Sequence, residues 1–183
     1  MSKSLKGFLV LALAGTVANS AMASDGVIEF TGKIVAASCT VGPGPGAGTL
    51  NVDLGEVSIA KLDDNSDVKI PINFKLDCKD KSSGVSNVVL SFKNPQVDGA
   101  NTKLLKITGT ATGVGIGLYD DTNALVDLGN AATSLTKPLS GATPLWTADF
   151  GLKAGYVKSL AGGATVVTEG TANGTLPFEL TYN

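Results

Sequence analysis

Apolar residues recur at every second position in many short runs of this chain. Residues 68–78, for example, read VKIPINFKLDC, with an apolar or cysteine side chain at every even position. Successive side chains of a β-strand point to opposite faces, so such a run is typical of a strand with one buried face. Turn-forming stretches separate the runs, and no long run has the 3.6-residue spacing of an amphipathic helix. Many short strands in this arrangement predict an antiparallel β-sandwich.

The other candidate strands are similarly short and rich in apolar residues. They are residues 27–35, 49–57, 86–92, 103–107, 113–120, 124–128, 145–157 and 164–168. Residues 140–144, of sequence SGATP, are expected to form a break between strands, because Gly and Pro interrupt regular structure.

The last residues continue the alternation almost to the C-terminus. From position 172 to position 182, the even residues are Ala, Gly or larger apolar and aromatic residues, and the odd residues are polar or Pro. Pro177 has no N–H group to donate to a ladder, so this strand is expected at the edge of a sheet. A regular exposed edge pairs readily with another chain, which makes the terminal strand a candidate interaction site.

The N-terminal residues have the pattern of a secretory signal peptide. Lys3 and Lys6 precede a short apolar stretch at residues 7–18, and small residues at 21–23 form a cleavage site. The apolar stretch is too short for a typical membrane span, although a retained anchor is the alternative. We therefore expect a signal peptide at residues 1–23 and a mature chain of residues 24–183.

The composition excludes several classes of function. Without the signal peptide the chain has 12 Lys against 16 acidic residues and no Arg, which argues against binding of nucleic acid. The chain also has no His, so the commonest general base and a common metal ligand are missing. Residues 63–67 resemble the start of a calcium loop, but Val68 and Phe74 stand where such a loop needs Gly and Glu. We expect no enzyme, no metal and no cofactor.

The chain has two cysteines, Cys39 and Cys78. An even number of cysteines in an exported chain favours a disulfide, with a pair of free buried thiols as the alternative.

Four features together resemble the type 1 fimbrial (chaperone–usher) pilin family of Gram-negative bacteria. They are the signal peptide, the alternating segment before the first cysteine, two cysteines 39 positions apart, and the C-terminal pattern. In that pattern Tyr182 is penultimate, Gly170 is fourteenth from the end, and Phe178 and Leu180 occupy alternating apolar places. The sequence GVGIGLYDDTNALVDLG at residues 113–129 is also similar to the central hairpin of the family.

The resemblance implies an all-β fold, an incomplete immunoglobulin-like β-sandwich that a strand donated by another chain completes. Residues 24–35 would be the N-terminal donor-strand extension and residues 36–183 the pilin domain. The side chains of the donor strand that face the groove of the neighbour would be those of Ile28, Phe30, Gly32 and Ile34. The residues that form the groove edge and are recognised by a chaperone would be Gly170, Leu176, Phe178, Leu180 and Tyr182.

The resemblance also implies a function and a set of partners. The chain would be a structural fimbrial subunit that polymerises head to tail with neighbouring pilin subunits and supports cell adhesion and biofilm formation. A periplasmic chaperone and an outer-membrane usher would be its partners during export through the periplasm to a fimbria on the cell surface. The alternative is a receptor-binding minor or tip adhesin, although the chain has no room for the additional lectin domain of family adhesins. Whether the subunit is major or minor stays open.

Overall fold

Ten β-strands and one short helix are present in the described part of the chain. This computed structural model describes residues 38–41, 49–63, 68–79, 81–159 and 166–183, which all belong to one compact unit, Ile34–Asn183. The elements in chain order are β1 (Ser38–Val41), α1 (Ile59–Asp63), β2 (Ile70–Pro71), β3 (Lys75–Lys79), β4 (Asn87–Phe92), β5 (Val114–Tyr119), β6 (Ser134–Pro138), β7 (Ser140–Ala142), β8 (Leu145–Asp149), β9 (Lys153–Lys158) and β10 (Phe178–Tyr182).

The strands form three antiparallel sheets. Their strand orders are β1-β3-β8-β7, β10-β4-β6 and β2-β9-β5. The terminal strand β10 pairs with β4, with Leu180 opposite Leu90. It lies at an edge of its sheet, as Pro177 just before it predicts. Among the described residues, no helix is long and apolar enough to cross a membrane.

The first and third sheets are connected by a long bent ladder. β3 pairs with β8 and β2 pairs with β9 in one continuous antiparallel register. Each step forward from β2 to β3 matches one step back from β9 to β8, with no residue skipped between the two pairs. Between them the N–H of Ile72 donates to the carbonyl of Leu152 at 2.8 Å, and the N–H of Phe150 donates to the carbonyl of Phe74 at 3.3 Å. Gly151, with φ of 59°, occupies the bend, where a left-handed backbone conformation favours glycine. The candidate strands 68–78 and 145–157 are therefore each one bent strand that passes from one sheet to the other.

The core follows from the alternation of side chains. In β3 the side chains of Leu76 and Cys78 are fully buried while their neighbours are exposed, and in β4 Val88 and Leu90 are fully buried. Burial of one such aliphatic side chain contributes about 1.5–3 kcal/mol, so the inward faces of these strands supply much of the stability.

Cys39 and Cys78 form a disulfide between neighbouring strands. The two residues are direct partners in the ladder of β1 and β3, and their Cα atoms are 3.9 Å apart. The disulfide therefore joins the first described strand covalently to a central strand of its sheet.

Several segments differ from the sequence prediction. Residues 49–57 form no strand, and residues 103–107 and 124–128 contribute only isolated bridges, two at Leu105 and one at Leu125. The expected break at 140–144 contains β7, whereas β1, β6 and the five-residue helix α1 were not predicted. The candidate strand 27–35, much of 164–168 and residues 64–67 of the calcium-like loop lie outside the described residues.

Candidate functional site

An elongated groove lies between two extended segments of the chain. We call residues 49–58 the first wall and residues 170–178 the second wall. Three adjoining cavities with volumes of about 390, 470 and 760 Å³ follow the walls and share lining residues. Leu50 and Leu176 line the first two of these cavities, and Tyr156 and Ala172 line the first and the last. The shared residues make the three cavities one continuous groove.

The second wall turns alternate backbone groups towards the groove. Asn173 exchanges two backbone hydrogen bonds with Thr108, at 2.7 and 2.8 Å, and the carbonyl of Pro177 accepts from the N–H of Lys93 at 3.0 Å. In an extended strand the N–H and C=O groups of successive residues point to opposite sides. The odd residues of the wall thus bind the body of the protein, and the backbone groups of Ala172, Gly174 and Leu176 face the other way, into the groove.

The first wall offers backbone groups of the same kind. Within the described ranges, no backbone hydrogen bond joins residues 49–57 to another segment. The carboxylate of Asp53 accepts a hydrogen bond from the N–H of Gly55 at 2.9 Å, which shapes the wall locally. Leu50 and Leu54 are half-buried, and Val52 is 36% exposed beside them. Since an unpaired strand edge is a template for pairing with another strand, both walls can take part in a ladder.

The floor of the groove is mostly apolar. Leu105, Ile116 and Leu118 lie under its central part, and Phe74 and Phe92 lie at the end nearest to β10. A side chain at Gly174 would bring a Cβ to within 2.8 Å of Cδ1 of Ile116, so glycine lets the second wall pass close over the floor. The groove is therefore suited to an extended segment with apolar side chains on one face.

One polar contact crosses from the floor to the second wall. The hydroxyl of Tyr156, on β9, donates a hydrogen bond of 2.7 Å to the carbonyl oxygen of Ala172. Burial, and secondly the charge of Asp53 on the first wall, raises the pKa of Tyr156 above its usual value of 10.0. The hydroxyl therefore stays protonated, and so a donor, at any physiological pH.

The structure places part of the predicted groove edge along the groove. Leu176 and Phe178 line it near β10, and Gly170 lines its other end. Leu180 and Tyr182 are half-buried in β10, and burial raises the pKa of Tyr182. The predicted donor residues Ile28, Phe30, Gly32 and Ile34, and the predicted signal peptide at 1–23, lie outside the described residues.

Sequence reasoning missed two parts of the groove. The first wall was predicted only as a strand, although its alternating Leu50, Val52 and Leu54 already indicated an apolar face. Tyr156 lies in the candidate strand 145–157, and no local pattern indicates that its hydroxyl reaches the second wall. In the part of the chain that the structure describes, no group of three or more metal-binding side chains is present.

Comparison with known proteins identifies the family. The fimbrial protein family matches residues 28–183. The chain belongs to the fimbrial protein family. It is 33% identical over 186 residues to long polar fimbria protein A of Salmonella typhimurium, covering 100% of this chain and 97% of that protein. It is 34% identical over 191 residues to the probable major fimbrial subunit LpfA of Escherichia coli O157:H7, again covering 100% of this chain and 97% of that protein.

The fold is also shared with a solved pilus structure. A chain from a chaperone–usher pilus, described for the uncoiling of its rod, superposes with a TM-score of 0.59 at 23% identity, covering 87% of this fimbrial chain and 96% of that chain. The predicted immunoglobulin-like, antiparallel β fold and the predicted family are thus confirmed. The protein is a non-enzymatic structural subunit of cell-surface fimbriae.

Proposed function

We propose that this fimbrial subunit polymerises by strand donation, with residues 26–35 of one copy bound in the groove of the next. The observation that supports this proposal is the groove itself, whose two walls flank an apolar floor and, within the described ranges, have backbone groups that no other backbone group pairs with. A strand laid between the walls would complete the ladders on both sides. Addition of a strand to an exposed edge in this way is an established mode of recognition, of which donor-strand complementation in pilins is an example.

The proposed donor strand matches the groove in its chemistry. Its even residues include Ile28, Phe30 and Ile34, which would face the floor, and the odd residues between them, at positions 29, 31 and 33, are polar. Burial of these three side chains contributes roughly 5–9 kcal/mol at about 1.5–3 kcal/mol each. Each ladder hydrogen bond adds about 1 kcal/mol. The total is comparable to the stability of a whole domain, about 5–15 kcal/mol, so that occupation of the groove would decide whether the subunit is stable.

The position of the two parts supports a filament. The donor strand lies before Cys39, whereas the groove is built from residues after position 49, so the two surfaces that meet are different. A head-to-tail contact repeats from copy to copy, and it builds an open filament when the rotation between copies does not close a ring. We propose residues 24–35 as the donor extension and residues 36–183 as the pilin domain, which together form a fibre that supports adhesion.

The same groove would require a temporary occupant before assembly. We propose that residues 1–23 direct the chain to the periplasm, where a chaperone strand fills the groove until an outer-membrane usher exchanges it for the next subunit. The regular edge presented by the second wall and β10 supports this step, because an unprotected edge of this kind promotes aggregation.

The test uses the alternation of the donor strand. A variant with Ile28→Ser, Phe30→Ser and Ile34→Ser should be captured by the chaperone as a soluble complex but form no fibres in electron micrographs. The matched control, Glu29→Ala, Thr31→Ala and Lys33→Ala, changes only the opposite face and should polymerise normally. Fibre formation by the serine variant at the rate of the control would refute the proposal.

A further inference from the structure

The hydrogen bond from Tyr156 to Ala172 connects the floor of the groove to its second wall. We propose that Tyr156 is a positioning residue for strand capture, because its hydroxyl holds the second wall in the extended form that an incoming strand has to meet. This inference rests on the proposed function of the groove as a strand acceptor.

The carbonyl of Ala172 belongs to the side of the wall that faces the groove. On one side of it the carbonyl of Thr171 accepts from the N–H of Ala111 at 3.1 Å, and on the other Asn173 pairs with Thr108. The residue between these two points its N–H and C=O in the opposite direction. Tyr156 therefore contacts a group that an incoming strand would also use.

This part of the wall has few other anchors on the groove side. The even positions 176, 178, 180 and 182 carry large side chains that pack against the core. The even positions 170, 172 and 174 are Gly, Ala and Gly, which have almost no side chain to bury. The side chain of Tyr156, on β9, reaches this part of the wall from the floor of the groove, and its hydrogen bond supplies the anchor that these residues lack.

The outer side of the same segment is held by the backbone hydrogen bonds described above and by exposed side-chain groups. The N–H of Thr110 donates to Oγ1 of Thr171 at 3.2 Å, and the hydroxyls of Thr112 and Thr168 are 2.9 Å apart. Both contacts are exposed to water. Segments held by exposed hydrogen bonds and few buried contacts open at low free-energy cost. Without the Tyr156 contact, the wall would leave its extended form more often.

The contact is compatible with an occupied groove. A carbonyl oxygen has two lone pairs, so that of Ala172 accepts from Tyr156 and from the N–H of an incoming strand at the same time. Before capture, the hydroxyl raises the fraction of molecules whose wall is in place, and the rate of capture is proportional to that fraction. After capture, the ladder with the donated strand holds the wall, so the hydroxyl no longer controls release.

The test compares capture and release in Tyr156→Phe, which keeps the ring and removes only the hydroxyl. The full-length mature chain at low concentration is mixed with an excess of a fluorescent synthetic peptide of residues 24–36, and release is followed after addition of unlabelled peptide. We expect the rate of capture to fall by about three- to tenfold, which corresponds to the loss of one neutral hydrogen bond, and the rate of release to stay unchanged. The matched control is Tyr119→Phe, a hydroxyl removal on β5 that should leave both rates unchanged.

Three outcomes would overturn the inference. If Tyr156→Phe captures the peptide as fast as the wild type or faster, the hydroxyl does not position the wall. If slower capture is accompanied by equally faster release, the substitution has loosened the groove in general. If the wild-type chain itself takes up no peptide, the proposed strand-acceptor function is wrong, and the role of Tyr156 is refuted with it. If the wild type captures the peptide and the variant behaves identically, only the role of Tyr156 is refuted.

Discussion

The ring of Phe178 on β10 meets the ring of Phe74 edge-on, with ring centroids 5.0 Å apart and ring planes at 71°. Phe74 meets Phe150 in the same manner, at 5.3 Å and 81°. Phe74 and Phe150 both lie at the bend of the ladder that connects two sheets. The terminal strand is therefore anchored by an aromatic cluster at the point where the backbone changes sheet.

Removal of the Phe178 ring should destabilise the subunit. Phe178→Ala takes away an edge-on contact and a large partly buried side chain, so we expect a loss of about 2–4 kcal/mol in the free energy of unfolding, measured in urea. Thr181→Ala, on the exposed face of the same strand, is the control and should cost less than about 1 kcal/mol. Equal losses would contradict the assignment of an inner and an outer face to β10.

Loss of the disulfide should be costly and should remove the sensitivity to reductant. For the double variant Cys39→Ala and Cys78→Ala we expect a decrease of about 2–5 kcal/mol in the free energy of unfolding, because the unfolded chain is no longer cross-linked. The wild type should show the same decrease when it is unfolded under reducing conditions. A double variant that remains as stable as the oxidised wild type would show that the cross-link contributes little.

Gly155 should not tolerate a side chain. Although its φ is not in the left-handed region, a Cβ there would clash with the backbone carbonyl oxygen of Val68, which cannot move as a side chain can. We expect Gly155→Ala to cost about 1–3 kcal/mol, seen as a lower melting temperature. Gly84 has nothing within 4 Å of its Cβ position, so Gly84→Ala is the control and should be nearly neutral. A stable Gly155→Ala variant would place β9 further from residue 68 than the structure does.

Asp98 should make the stability of the subunit depend on pH in the acidic range. The residue is buried, with 8% of its surface exposed. Burial acts to raise its pKa, but hydrogen bonds from the hydroxyl of Ser159 and from the N–H groups of Ala100 and Asn101, with the charge of Lys106, lower the pKa below 3.8 overall. A depressed carboxyl pKa contributes stability that is complete well above the unfolded value and is lost as the pH falls through the folded value.

The corresponding variant is Asp98→Asn. At pH 7 we expect it to lower the free energy of unfolding by about 1–3 kcal/mol, and the difference from the wild type should shrink below about pH 4. Asp77→Asn, on the exposed face of β3, serves as the control. If the wild type and Asp98→Asn lose stability in parallel across this range, the carboxylate is not the source of the acid dependence.

The alternation of apolar residues predicted most of the ladder positions. Residues 86–92, 113–120 and the end of the terminal run became β4, β5 and β10 with small changes of boundary. The pattern also continues unbroken through the bend at residues 72–74, because inward side chains stay inward while the backbone changes sheet. Alternation reports which face of a segment is buried, and it contains no information about the sheet to which the segment belongs.

The same limitation explains where the sequence prediction of strands was wrong or incomplete. Residues 49–57 have a strand-like pattern but no ladder partner among the described residues, since alternation does not supply a neighbour. β6 and β7 are mainly exposed and have no alternation of large apolar residues, and their strand character comes from pairing with β4 and β8. Tyr156 was beyond prediction because its contact with Ala172 joins residues that only the tertiary fold brings together.

The position of the disulfide has a mechanical consequence for the proposed fibre. Only four residues separate Ile34, near the end of the proposed donor strand, from Cys39, so tension along the proposed filament would enter each subunit almost at the cross-link. β1 is four residues long and, held by its hydrogen bonds alone, would peel from β3 under a steady pull. The covalent bridge transmits the pull directly from Cys39 to Cys78 in the interior of the sheet. Stretching should therefore break the contacts between subunits before it unravels the first strand.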